Sequence, residues 1–141
     1  MLAARTPSAR KALHPAHAFF LACTFPLFLG VLLNDWAYSS TYEIQWKNFA
    51  SWLLVGALLF GAVALLWAFV DLFRARWRGR SLIYFLLLLA AWVLGFINAL
   101  VHAKDAWASM PEALILAILT LLFTAAATWL GLSNPPAGAE K

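Results

Sequence analysis

Charge is what this chain has least of. Only 11% of its 141 residues are Asp, Glu, Lys or Arg, less than half of the roughly 25% common in soluble domains. With 65% apolar residues, a water-soluble fold of this size could not cover its own surface, which excludes that class. Cysteine is nearly missing too. Cys23 stands alone, so an intrachain disulfide is impossible, and it reads as a small buried hydrophobe. The chain has no Gly-rich phosphate loop, no His-Glu-x-x-His and no Gly-x-Ser-x-Gly, so the familiar nucleotide, metalloprotease and hydrolase patterns find no support. An alternating strand pattern and an internal repeat are also absent, which argues against a membrane barrel and against inverted-repeat transporters.

What remains is four long apolar runs, about Pro15–Leu33, Asn48–Val70, Leu82–Val101 and Pro111–Gly131. Each approaches the roughly 20 residues needed to cross a 30 Å hydrocarbon core. The expected fold is therefore all-α, an antiparallel four-helix membrane bundle over 14–132. A flexible basic segment is expected at 1–13 and a flexible tail at 133–141, where Pro135 and Pro136 oppose a helix. The four runs leave no room for a soluble catalytic domain. A cleaved signal is the alternative for the first run, but Asn34-Asp35-Trp36-Ala37-Tyr38 lacks a small-x-small site and the run is expected to be retained.

Basic residues gather at span ends, as topology signals do. Arg5, Arg10 and Lys11 precede the first span, and Arg74, Arg76, Arg78 and Arg80 fill the second gap. Lys47 and Lys104 in the other gaps are diluted by Asp35, Glu43 and Asp105. This asymmetry predicts a multi-pass protein with both termini cytoplasmic, and the net charge of +4 is not a nucleic-acid signal. The gap from Asn34 to Lys47 reads as an outer loop. Trp36, Tyr38, Tyr42 and Trp46 there, with Trp77 and Trp107 elsewhere, suit an interfacial aromatic belt.

Helices associate in lipid through small residues that let backbones approach. Ala57, Gly61, Ala64 and Ala68 share a face that Asp71 continues. Ala91, Gly95, Asn98 and His102 form a second such face, and His14, His17, Leu21 and Thr24 a third. An inner polar cluster of His14, His17, Asp71 and Arg74 is predicted, read first as a lock between spans 1 and 2. A proton-handling or ligand site is the alternative, because histidine changes charge near neutral pH. An outer cluster of Asn98, His102, Lys104 and Asp105 is expected, with Asn34 and Asp35 across the bundle. Asp105 lies one helical turn from His102, so the two are expected to meet.

No cofactor is expected. A b-type haem would need two histidines facing one another at one depth, whereas His14 and His17 lie at the opposite end from His102. A divalent metal held by His14, His17 and Asp71 is the other possibility, since imidazole and carboxylate are suitable ligands.

The polar landmarks resemble a bacterial family known as domain of unknown function 2231. They are His14-Pro15 opening the first span, Asp71 closing the second, and Asn98 before His102-Ala103-Lys104-Asp105-Ala106-Trp107. Pro111 then opens the last span and Trp129-Leu130-Gly131 ends it. Lys104 stands where the family pattern has an arginine. Leu132-Ser133-Asn134-Pro135 replaces a glycine, an acidic residue and an aromatic. The resemblance implies a four-span protein of the bacterial inner membrane and no particular activity. The reading is an accessory or interaction subunit, contacting the lipid bilayer and other membrane proteins or a second copy, and no nucleic acid. The alternatives are a haem- or metal-binding redox protein using His14, His17 and Asp71, and a small proton-coupled transporter using Asp71 and Asn98.

Overall fold

The structure, a computed structural model, describes residues 13–74 and 78–133. Among them four long helices follow one another: α1 (Pro15–Thr41), α2 (Ile44–Arg74), α3 (Arg78–His102) and α4 (Glu112–Leu132). One short 3-10 turn, Ala106–Ser109, precedes α4. All four long helices are apolar and long enough to cross a membrane. The protein is a multi-pass helical membrane protein. Each helix packs on its two neighbours in the ring α1–α2–α3–α4, so α1 faces α3 across one diagonal.

Buried positions recur at alternating steps of three and four on every helix. In α1 they are His17, Leu21, Thr24, Phe28, Val31, Asp35 and Tyr38. In α2 they are Lys47, Ala50, Leu54, Ala57, Gly61, Ala64 and Ala68. Helix α3 buries Tyr84, Leu88, Ala91, Gly95, Asn98 and His102, with Val101 added beside the last, and α4 buries Ala113, Ala117, Thr120, Thr124, Ala127 and Gly131. A repeat averaging 3.5 residues is the seam of a left-handed bundle. Its composition is lopsided. Helices α2 and α4 line the interior mostly with Ala, Gly and Thr, while α1 and α3 bring Phe28, Leu21, Tyr84 and Leu88. The small residues of α2 and α4 leave the centre to side chains of α1 and α3.

Two expectations are corrected. The stretch from Asn34 is not a loop: α1 continues through it to Thr41, and only Tyr42 and Glu43 separate it from α2. Asp35 and Tyr38 belong to the buried stripe, and Ser39, Ser40 and Thr41 donate to the carbonyls of Trp36, Trp36 and Ala37. Tyr42 closes the helix in the left-handed region, φ 56°, with its N–H on the Tyr38 carbonyl. Tyr38 is 1% exposed, so it leaves the aromatic belt. Trp36 and Trp107 are exposed, Tyr42 stacks on Trp107, and Trp46 is half-buried. Trp77, Arg76 and the segments 1–12 and 134–141 lie outside the described residues. Leu13 packs against the core beside Leu21 and Tyr84.

The diagonal sets how much room a glycine must leave. A Cβ on Gly95 would sit 2.8 Å from the Phe28 ring, and that ring is buried. Gly95→Ala should therefore lower thermal stability in detergent by about 1–3 kcal/mol, the usual range for overpacking. Adding Phe28→Leu should recover part of the loss. Gly79→Ala, with nothing within 4 Å of the new methyl, should leave the melting temperature unchanged or slightly raised.

Candidate functional site

Polar side chains collect at the two ends of the α1–α3 diagonal. At the Arg-rich end, the buried His17 ring places Nε2 2.8 Å from the Tyr84 hydroxyl. Its Nδ1 lies 3.6 Å from Asp71 Oδ2, whose side chain is 44% exposed. That distance exceeds a hydrogen bond, so the carboxylate faces the ring as a charge. Trp67 stacks against both His14 and His17. His14 is the N-cap of α1, its Nδ1 accepting the Ala16 N–H. Asp71, His17 and Tyr84 thus make a carboxylate–imidazole–phenol row from a half-exposed rim into the interior. Arg74 is exposed and, among the described residues, joins no ion pair.

At the other end, His102 Nε2 lies 2.9 Å from Asp35 Oδ1, with both side chains buried. His102 Nδ1 is 3.0 Å from the Asn98 carbonyl of its own helix. A carbonyl only accepts, so Nδ1 is the donor there, and the short contact at Nε2 requires a proton between ring and carboxylate. Lys47 is also buried, at 6% exposure. Its ammonium donates to the Lys104 carbonyl at 2.8 Å and is attracted by Asp105 and Asp35. Lys104 itself pairs with Glu112 at 2.6 Å.

Both bridges join residues 67 apart in sequence. They lie five turns apart along either helix, roughly 27 Å at 1.5 Å per residue, close to the hydrocarbon thickness of a bilayer. Between them the Phe28 ring lies against Gly95. The diagonal is therefore tied at both membrane faces and packed in the middle.

Of the inner residues expected to cluster, His17 and Asp71 face one another, His14 is linked to them through Trp67, and Arg74 stands aside. Of the outer ones, His102 turns to Asp35 rather than to the exposed Asp105. Asn34 donates back to Gly30 of its own helix. Asn98 is fully buried, and neither of its side-chain amide atoms has a hydrogen-bond partner; Asp35 Oδ2 lacks one as well. Tyr84, Trp67 and Lys47 were not foreseen. Tyr84 could have been found by running the Ala91–His102 row back two turns. Among the described residues no group of three or more His, Cys, Asp or Glu is gathered as a metal ion would need. Of His14, His17 and Asp71, His17 and Asp71 face one another directly and Trp67 lies against both imidazoles.

The family model described as "Predicted membrane protein (DUF2231)" matches residues 13–134. The chain belongs to the DUF2231 family. The match takes in all four helices and both bridges. No curated protein and no solved structure matches the chain significantly.

The two bridges should differ in strength. Asp35→Ala strands the His102 ring in the interior and should cost about 3–5 kcal/mol, as breaking a buried ion pair does. Tyr84→Phe removes one neutral hydrogen bond and should cost about 0.6–1.7 kcal/mol, the range for side-chain bonds between membrane helices. Reversible unfolding in mixed micelles measures both, and a larger loss for Tyr84→Phe would reverse the ranking.

Proposed function

We propose that this protein is a non-enzymatic accessory or interaction subunit of the bacterial inner membrane, with both termini in the cytoplasm. One observation carries the reading: the buried groups able to do chemistry are engaged in joining helices. His17 is bonded to Tyr84, His102 to Asp35, and Lys47 to the Lys104 carbonyl. What the molecule offers to others is its apolar exterior, with Trp52, Phe73 and Trp129 all more than 70% exposed. Partners are then neighbouring membrane proteins or a second copy.

A second reading, a small proton-coupled carrier, is favoured by the unpartnered Asn98 amide, the unpartnered hydroxyl of Thr120 and the half-exposed Asp71. Polar groups inside a membrane helix are costly and often mark a pathway. A cofactor-binding redox protein is the third, with His14, His17 and Asp71 as ligands.

These readings separate in one preparation. The purified chain is placed in liposomes holding a pH-sensitive dye, and its absorption is recorded oxidised and dithionite-reduced, with metal analysis alongside. The accessory reading expects no proton flux above empty liposomes, no haem band and no stoichiometric metal. A flux abolished by Asp71→Asn would replace it with the carrier, and a haem band or bound metal lost in His17→Ala with the redox protein. Orientation is checked by fusions after Lys141: a fluorescent protein should be bright there and alkaline phosphatase inactive.

A further inference from the structure

On the outside of the bundle, α1 and α4 part to leave an open groove of about 470 Å³ lined by Phe25, Ala125, Thr128, Trp129, Leu132 and Ser133. Its size lies within the range of small-ligand sites, and its walls are overwhelmingly apolar. It runs from Ser133, at the Arg-rich end, toward Ala125, two turns and roughly 12 Å along α4. That is most of one leaflet's hydrocarbon depth.

The mouth of the groove is charged. Arg80 donates from Nη2 to the Leu130 carbonyl at 2.9 Å and to the Ser133 hydroxyl at 3.1 Å. Those two bonds fix the guanidinium over the end of α4, beside a residue that lines the groove. Among the described residues no carboxylate pairs with Arg80, so none of them neutralises the positive charge held at this face. A guanidinium offers five donors in a planar fork, and only Nη2 is engaged here.

We propose that the α1–α4 groove is a binding site for one anionic glycerophospholipid of the leaflet at the Arg-rich end. An acyl chain fills the apolar trough between Phe25, Ala125 and Leu132. The phosphate sits on the N–H groups of the Arg80 fork that the Leu130 and Ser133 bonds leave free. Phosphate on a guanidinium fork is a strong charge-assisted contact, and a fixed basic residue beside an anionic headgroup should give about a fivefold preference over a zwitterionic lipid.

The test is native mass spectrometry and thermal unfolding of the full chain in a mild non-ionic detergent. Phosphatidylglycerol, phosphatidylcholine or inorganic phosphate is added in turn. One phosphatidylglycerol per chain and a raised melting temperature are expected, with about a fivefold weaker response to phosphatidylcholine and none to phosphate alone. Arg80→Gln should erase the headgroup preference while retaining lipid binding. Ala125→Trp, which fills the trough from the lipid side, should remove the bound lipid altogether. Arg80→Lys, which keeps the charge but not the planar fork, should reduce the headgroup preference only in part and serves as the variant of record if Arg80→Gln fails to fold. Equal binding of the two lipids, a matching response to phosphate alone, or a lipid that survives Ala125→Trp would each overturn the site.

Discussion

The structure depends on a mismatch in side-chain size between the two diagonals of the bundle. Helices α2 and α4 line the interior mostly with Ala, Gly and Thr, which leaves the centre open. Helices α1 and α3 fill it from both sides. That arrangement lets His17 reach Tyr84, Phe28 lie on Gly95, and Asp35 reach His102 at one constant sequence offset of 67. A change of register by one residue would break all three layers at once. In lipid, where apolar side chains gain little by leaving the solvent, such close packing and interhelical bonding must supply the specificity that hydrophobic burial gives elsewhere.

The ends of the diagonal are chemically unequal. The His17 end opens to the surface through Asp71, whose carboxylate lies 3.6 Å from the ring. The Asp35 end is closed, and its carboxylate, imidazole and ammonium are all buried. Buried charges in a low-dielectric interior are tolerated only when partnered, and here each has a partner from another part of the chain. The orphaned Asn98 amide one turn deeper is the exception, and it places the least satisfied group of the bundle directly beneath its strongest pair.

Much of this was legible beforehand, and the reason is periodicity. Four apolar runs gave the helices, and the rows Ala57–Ala68 and Ala91–His102 gave the buried faces, because small residues at helical spacing have few other uses in lipid. The chemistry of the ends was harder. Asp35 and Lys47 sit among charged and aromatic residues that look like a loop, and only the continuing three-and-four spacing from Phe28 through Val31 marks Asp35 as interior. Tyr84 lies in an apolar run where a tyrosine reads as interfacial. Pairings such as Asp35 with His102 are non-local. Sequence spacing pointed His102 to its neighbour Asp105, and tertiary packing sent it across the bundle. Nothing in the order of residues reveals the groove beside α4, which exists only once Phe25 of α1 is packed next to that helix.

The two-residue connection at Tyr42 and Glu43 has a consequence for how the protein is made. It joins α1 and α2 so tightly that they enter the bilayer as a hairpin, and the hairpin carries Asp35 and Lys47 at the same end. His102 is synthesised 67 residues after Asp35, so for that interval the carboxylate has only the Lys47 ammonium to balance it. With Glu43 in the connection, the leading tip of the hairpin carries two carboxylates and one ammonium until the third helix brings the His102 imidazole to Asp35.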